Sequence, residues 1–235
     1  DIINETAFAA STQESRPILT GVHFVLTDNH SLKTVATDSH RMSQRKIQLE
    51  TAGDNFDVVI PSRSLREFTS VFSDDIETVE VFFSNNQLLF RSQHISFYTR
   101  LLEGTYPDTD RLIPKDFNTT VTFDTANLRH AMERARLLSN ATQNGTVKLD
   151  IQNGVVSAHV NSPEVGKVNE ELDTLAVNGD DLIISFNPTY LIDALKAVGH
   201  EQVQISFISP IRPFTLVPNA ADEDFIQLIT PVRTN

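Results

Sequence analysis

Apolar and polar residues alternate over long stretches of this chain. Val79, Val81 and Phe83 share one side of their segment. So do Val147, Leu149 and Ile151, and Val203, Ile205 and Phe207. Successive side chains of a strand point to opposite faces, so a period of two predicts strands with one face buried. Val147 to Val160 reads as a hairpin. Its two runs are separated by Asn153-Gly154, residue types that tolerate the positive φ a tight type I′ turn demands.

Helical spacing is confined to a few segments. Thr125 to Leu138 places Leu128, Met132, Ala135 and Leu138 on one face, with Asp124 or Thr125 as the cap. Asn187-Pro188 is a cap and first-turn pair. The stripe Leu191, Ala194, Leu195, Val198 follows it, and Gly199 can end the helix. Ser62 to Phe72 turns Leu65, Phe68 and Phe72 inward. Many strands, few helices and no regular strand–helix alternation predict an α+β fold with antiparallel sheet.

A second regularity lies above the level of single elements. VVIPSRSLREF (from Val58) resembles IISFNPTYLIDAL (from Ile183), each reading as strand, cap and amphipathic helix. ETVEVFF from Glu77 and EQVQISF from Glu201 come next, then LLFRS from Leu88 and RPFTLVP from Arg212. The offset stays at about 125 residues, which is a repeat at the scale of a domain. Two copies of one fold are expected, 1–115 and 116–235, joined around Pro114 to Asn118. The second copy opens with the strand TVTFD and a helix ending ERARLLSN, whereas DIINETAFAAS matches only the end of that helix. The expectation is that Asp1 lies inside a helix of a longer chain and that the first turn frays.

Composition narrows the chemistry. There is no Cys, which removes disulfides, a thiolate nucleophile and Cys-bound zinc, and suits a cytoplasmic chain. The net charge of −12 argues against a surface that coats nucleic acid everywhere, while leaving room for a local basic face. No apolar run is long enough for a membrane-spanning helix, and no signal-peptide pattern opens the chain.

VATDSHRM (Val35 to Met42) sets Asp38, Ser39 and His40 side by side, the three residue types of a nucleophilic triad. A triad needs one hydrogen bond from nucleophile to base and another that orients the base. Consecutive residues of an extended chain point to opposite faces and do not supply that relay. No G-x-S-x-G elbow surrounds Ser39. A serine hydrolase centred on Ser39 and His40 is therefore the alternative reading, not the first. The seven His residues lack zinc-binding spacing, and the eight Gly residues form no phosphate loop. No catalytic residue, metal or cofactor is expected. Asp74-Asp75 and Asp222 to Asp224 read as solvated turns.

SRPILTGVHF, VATDSHRM, LLEGTYPDTDRLIP, SFNPTYLIDAL and the ending LITPVRTN together resemble the bacterial sliding clamp family, the β subunit of DNA polymerase III. The likeness runs from the first residues to the last in the same order. It implies clamp-type domains repeated three times per subunit, with antiparallel sheets outside and helices on the inner face. This chain would hold the second domain, truncated at its start, and the third, with the first absent. It implies a non-catalytic processivity factor, a head-to-tail homodimer in its full-length form, that encircles duplex DNA without sequence specificity. DNA polymerase III, the clamp loader and other partners would be its protein partners. They would insert short peptides containing Gln, Leu and Phe into a groove between the second and third domains, with no membrane involved.

The groove positions implied by the resemblance are Arg16, Leu19, Thr37, Ser39, His40, Arg41, Met42 and Pro107, then Arg111, Leu112, Pro213, Leu228, Ile229, Thr230, Pro231, Val232 and Arg233. Leu19, Met42, Leu112, Ile229 and Val232 are expected to line an apolar slot, with Arg16, Arg41, Arg111 and His40 at its rim. Ser39 stands where relatives often carry Gly, and Thr230 where some carry Met or Leu. Asp38 is expected to hold the turn by hydrogen bonds and not to touch a ligand. Gln13, Arg63, Arg66, Arg129, Arg134, Arg136 and Lys196 are the expected DNA-facing groups. Leu137 and Leu138 match the subunit seam, and a fragment without the first domain is expected not to close a ring.

Overall fold

The computed structural model describes residues 1–72, 78–92, 94–139, 145–162, 166–220 and 224–233. Asp74, Asp75, Asp222 and Glu223, read above as turn residues, lie outside the described residues, as do Glu77, Asn140, Thr234 and Asn235. The chain divides into two compact units, Asp1–Thr109 and Asp110–Asn235. The sequence pattern sets the change-over a few residues later, at 115/116. The short 3-10 turn Asp110–Leu112 belongs with the second unit.

In the first unit, α1 (Ile2–Thr6) and a 3-10 turn at Ala7–Ala9 lead into β1 (Gly21–Thr27), β2 (Ser31–Thr37), β3 (Arg41–Gln48) and β4 (Phe56–Pro61). After α2 (Ser62–Val71) come β5 (Glu80–Ser84), β6 (Gln87–Ser92) and β7 (Ile95–Arg100). The strands form two antiparallel sheets, ordered β3-β2-β1-β4 and β5-β6-β7. Val22, Phe24, Leu26, Leu32, Ala36, Ile60, Leu65, Leu88 and Phe90 build the core. Leu65 of α2 is wholly buried, a burial that stabilises by about 1.5–3 kcal/mol. Phe68 lies 4.3 Å from Phe72 and 4.5 Å from Phe90, ring centre to ring centre, so the inward face of α2 is as the apolar spacing predicts.

The second unit opens with β8 (Thr119–Asp124) and α3 (Thr125–Ser139). Asp124 caps α3, accepting from the Asn127 N–H at 2.8 Å. The chain continues through β9 (Val147–Gln152), β10 (Val155–Ser162), β11 (Gly166–Glu171), β12 (Ala176–Gly179) and β13 (Leu182–Phe186). It ends with α4 (Pro188–Val198), β14 (Gln202–Phe207), β15 (Phe214–Pro218) and β16 (Phe225–Ile229). Asn153 and Gly154 take φ of 52° and 79°, the left-handed pair expected of the β9–β10 turn. Asn187 caps α4 through Thr189 N–H at 2.9 Å, and Gly199 ends it at φ 67°. Gly179 is required sterically: a Cβ there would sit 1.9 Å from the Asn118 carbonyl oxygen.

The repeat read from sequence is a repeat of topology. β11-β10-β9-β13 follows the same order as β3-β2-β1-β4, and β14-β15-β16 the same order as β5-β6-β7. The second unit adds β8 and β12 beside β14. One expectation fails here. The alternation predicts a buried face for Val81 and Phe83, yet all of β5 is exposed, with Val81, Phe82 and Phe83 each 42–43 % accessible. β5 pairs with β6 on one side; among the described residues its other edge takes no strand.

Candidate functional site

The turn between β2 and β3 is built by Asp38. One carboxylate oxygen accepts from the N–H groups of His40 (2.9 Å) and Arg41 (3.0 Å), and the other from Arg41 Nε (3.0 Å). This is the role expected of Asp38. Thr37 Oγ1 donates to the Arg41 carbonyl (2.6 Å) and accepts from the Ser39 N–H (3.2 Å). Ser39 sits at φ 78°, where Gly is the unstrained residue, so its side chain carries a backbone cost, and the bond from its own N–H to Thr37 helps hold that backbone conformation. Ser39 Oγ accepts from Arg16 Nη1 at 3.3 Å, and Ser39 and His40 are exposed. With Asp38 committed to the turn's own backbone, it orients no base, and the hydrolase reading loses its third member.

Arg41 departs from its expected place at a rim. Its side chain is only 15 % accessible, donates from Nη2 to the Phe8 carbonyl (3.1 Å) and lies 5.5 Å from the Phe8 ring centre. A guanidinium offers several donors in a rigid fork, and here the fork braces the turn against the 3-10 segment that follows α1. Leu19 and Met42 are buried at 5 % and 2 % accessibility; Pro107 is exposed.

In the second unit, Arg111 and Leu112 ride an exposed 3-10 turn, Leu112 at 50 % accessibility. Leu228 and Ile229 are neighbours on β16 and point to opposite faces: Ile229 pairs with Phe214, Leu228 with Thr215. Ile229 belongs to the core of its own unit, with Val121, Phe123, Ile205 and Phe214, so it is not the slot residue expected. Pro213, Thr230 and Pro231 are half-buried, while Val232 and Arg233 are exposed. The tail after β16 is pinned where Val232 N–H donates to the Ser185 carbonyl at 2.7 Å. Each unit thus gathers some expected site residues at its surface: Arg16, Ser39, His40 and Pro107 in the first, Arg111, Leu112, Val232 and Arg233 in the second.

The expected DNA-facing groups are uneven. Gln13, Arg63, Arg66, Arg134 and Lys196 are exposed, and Arg129 and Arg136 are half-buried. Arg63 pairs with Glu67 (3.1 Å) one turn along α2, and Arg66 Nη2 donates to Ser62 Oγ (3.2 Å). Arg134 is held by both oxygens of Glu170 on β11, with Nε to Oε2 at 3.3 Å, and these bonds raise its pKa further. Its charge is therefore largely answered within the unit. Leu137 is 70 % accessible, whereas Leu138 packs against the core, so the pair expected at the subunit seam is one exposed leucine and one anchoring leucine.

Sequence reasoning passed over Tyr106 and His23. Tyr106 is 7 % accessible; its ring stacks on His23 at 4.8 Å, and its phenol oxygen accepts from the Thr37 N–H at 3.1 Å. Burial pushes the phenol well above the ordinary tyrosine range, so it stays protonated. The available signal was a lone His at an otherwise apolar strand position and a Tyr directly before Pro107.

Comparison with known proteins settles the family. Residues 1–108 match the model of the DNA polymerase III beta subunit, central domain, and residues 110–233 that of its C-terminal domain. The chain belongs to the DNA polymerase III beta subunit family. It is 78 % identical over 234 residues to the beta sliding clamp of Streptococcus pneumoniae and 56 % identical over 237 residues to that of Lactococcus lactis. Each match covers 100 % of this chain and 62 % of the relative, so the chain spans under two thirds of these curated relatives' length. Among solved structures, the beta chain of DNA polymerase III from S. pneumoniae superposes at a TM-score of 0.97. It has 78 % identity, with 99 % of this chain and 62 % of that one covered. The Bacillus subtilis sliding clamp superposes at 0.93 with 40 % identity, covering 99 % of this chain and 61 % of that one. The antiparallel, clamp-type α+β fold expected from sequence is thereby established.

Proposed function

We propose that this chain is part of a sliding clamp that tethers DNA polymerase III and other partners to duplex DNA, without catalysing a reaction itself. The observation that carries the reading is the match of both units, over the whole chain, to the two family domains. In the whole protein, two subunits join head to tail around the duplex, a clamp loader places them there, and the assembly works in the cytoplasm. No helix of the described residues is long and apolar enough to cross a membrane.

Partners bind through short peptides carrying Gln, Leu and Phe. On the second unit, Leu112 and Val232 offer exposed apolar surface for the Leu and Phe, and Arg111 and Arg233 offer polar groups; on the first unit, Arg16, Ser39 and His40 offer polar groups suited to orienting a peptide. On the DNA side, Arg63, Arg66 and Lys196 supply long, exposed positive side chains suited to phosphates. A protein that slides needs phosphate contact without base readout, so its DNA affinity falls steeply with salt and not with sequence. The net charge of −12 discourages DNA elsewhere on the surface.

The test is titration of the chain with a labelled Gln-Leu-Xaa-Leu-Phe peptide. Binding of about micromolar Kd is expected, with Leu112→Ala weakening it about tenfold. A folded chain that ignores the peptide at millimolar concentration would overturn the assignment.

A further inference from the structure

We propose that Tyr106 is a positioning residue for peptide binding, acting through Thr37 to hold the Asp38–His40 turn; this rests on the peptide-binding reading above. β1 and β2 pair as far as His23 opposite Val35, and the ladder stops there. The Asp38 N–H points toward β3, donating to the Arg41 carbonyl at 3.3 Å. Alternation along the strand then turns the Thr37 N–H toward the β1 side, where no ladder remains to receive it. A buried N–H left unpaired costs as much as a lost hydrogen bond, and Tyr106 Oη meets it at 3.1 Å.

The phenol reaches that point because its ring is held. His23 and Val35 are paired, Thr37 lies two residues on, and Thr37 pairs with Met42. His23, Thr37 and Met42 therefore share one face of the sheet, and Tyr106 lies over it, its ring stacked on His23 at an angle of 27°. Asp57 Oδ1 sits 2.6 Å from His23 Nε2 and sets the imidazole's orientation. The segment bearing Tyr106 is anchored upstream, where the Leu102 N–H donates to the Val59 carbonyl at 2.8 Å. Gly21 leaves room for it, since a Cβ there would come within 2.8 Å of Leu102 Cδ1.

The consequence runs along two short paths. Tyr106 is covalently joined to Pro107, an expected groove residue. Through the Thr37 backbone it braces the residue whose Oγ1 receives the Ser39 N–H and contacts the Arg41 carbonyl. One side chain thus sets Pro107 and the strained Ser39 in a single arrangement before any peptide arrives. Preorganisation of this kind lowers the ordering cost of binding.

The test uses the full chain and the labelled Gln-Leu-Xaa-Leu-Phe peptide. Tyr106→Phe keeps the ring and removes the hydroxyl; it should weaken binding about 3- to 10-fold while retaining the parent's circular dichroism spectrum. A purely structural residue would lower the unfolding midpoint without coupling to the turn. The cycle with Ser39→Ala separates the two, because the double variant should lose no more affinity than the worse single one. His23→Ala, which removes the stack and leaves the hydroxyl, provides a second variant and should weaken binding in the same direction. Parent-like affinity in both Tyr106→Phe and His23→Ala, with Leu112→Ala still impaired, overturns the proposal and leaves the peptide reading intact. Fully additive losses with Ser39→Ala overturn it too. A parent chain that binds no peptide removes the reading on which it rests.

Discussion

β5 and β14 occupy the same place in the repeat and carry the same alternation, VEVFF against VQISF, yet one is exposed throughout and the other is mostly buried. In the second unit β14 lies between β8 and β15, and its Val203, Ile205 and Phe207 are at most 1 % accessible. In the first unit β5 lies beside β6, with no counterpart of β8 among the described residues. An apolar alternation states what a strand can bury. Its neighbours decide what it does bury, which is why strand propensity behaves as a fit to surroundings and not as a property of the segment.

The largest expected effect sets these two strands against each other. Phe207→Ala should cost about 3–5 kcal/mol, because it leaves a cavity in a closed core. Phe83→Ala, at the matching position of an exposed strand, should cost under about 1 kcal/mol. Urea unfolding of both variants checks this, and equal losses would break the comparison. The two repeat helices offer a smaller contrast. Asn187 caps α4 with its side chain, so Asn187→Ala should cost about 1 kcal/mol. α2 begins after Pro61, which has no side chain to cap with, so Pro61→Ala should lack that loss. Thermal melts of the two variants sharpen or erase the distinction. The smallest effect on stability is expected on the exposed β5. Phe82→Lys places a charge on β5 and should change stability by under about 0.5 kcal/mol, while reducing any edge-to-edge self-association seen by light scattering.

Much of the molecule was legible because its signals are local. The Asn153-Gly154 turn, the Asn187 cap and the Gly199 stop each depend on a few adjacent residues and stand where the sequence places them, and the α3 cap is Asp124, one of the two residues the pattern allows. The repeat was legible because the same order of elements was written twice. The candidate site was legible only in part. The motifs mark the residues as a group, but not which way each side chain goes. Arg41 turns inward because Phe8 offers a carbonyl and a ring 33 residues away, and Ile229 turns inward because its register on β15 sets it beside Phe214. Neither partner is visible from the local pattern.

The sequence by itself determined the class of fold, the doubling of that fold, the turns and caps, and the family to which the chain belongs. These follow from backbone preferences and periodicity, which act over a few residues, and from motifs kept in order. The tertiary structure alone decided that β5 is bare while β14 is covered, that Leu137 is exposed while Leu138 is anchored, and that Tyr106 closes the end of the β2 ladder. Burial and hydrogen-bond satisfaction depend on which distant segments meet. The bond from Thr37 to Tyr106, 69 residues apart, exists only once the sheet and the segment after β7 have been brought together.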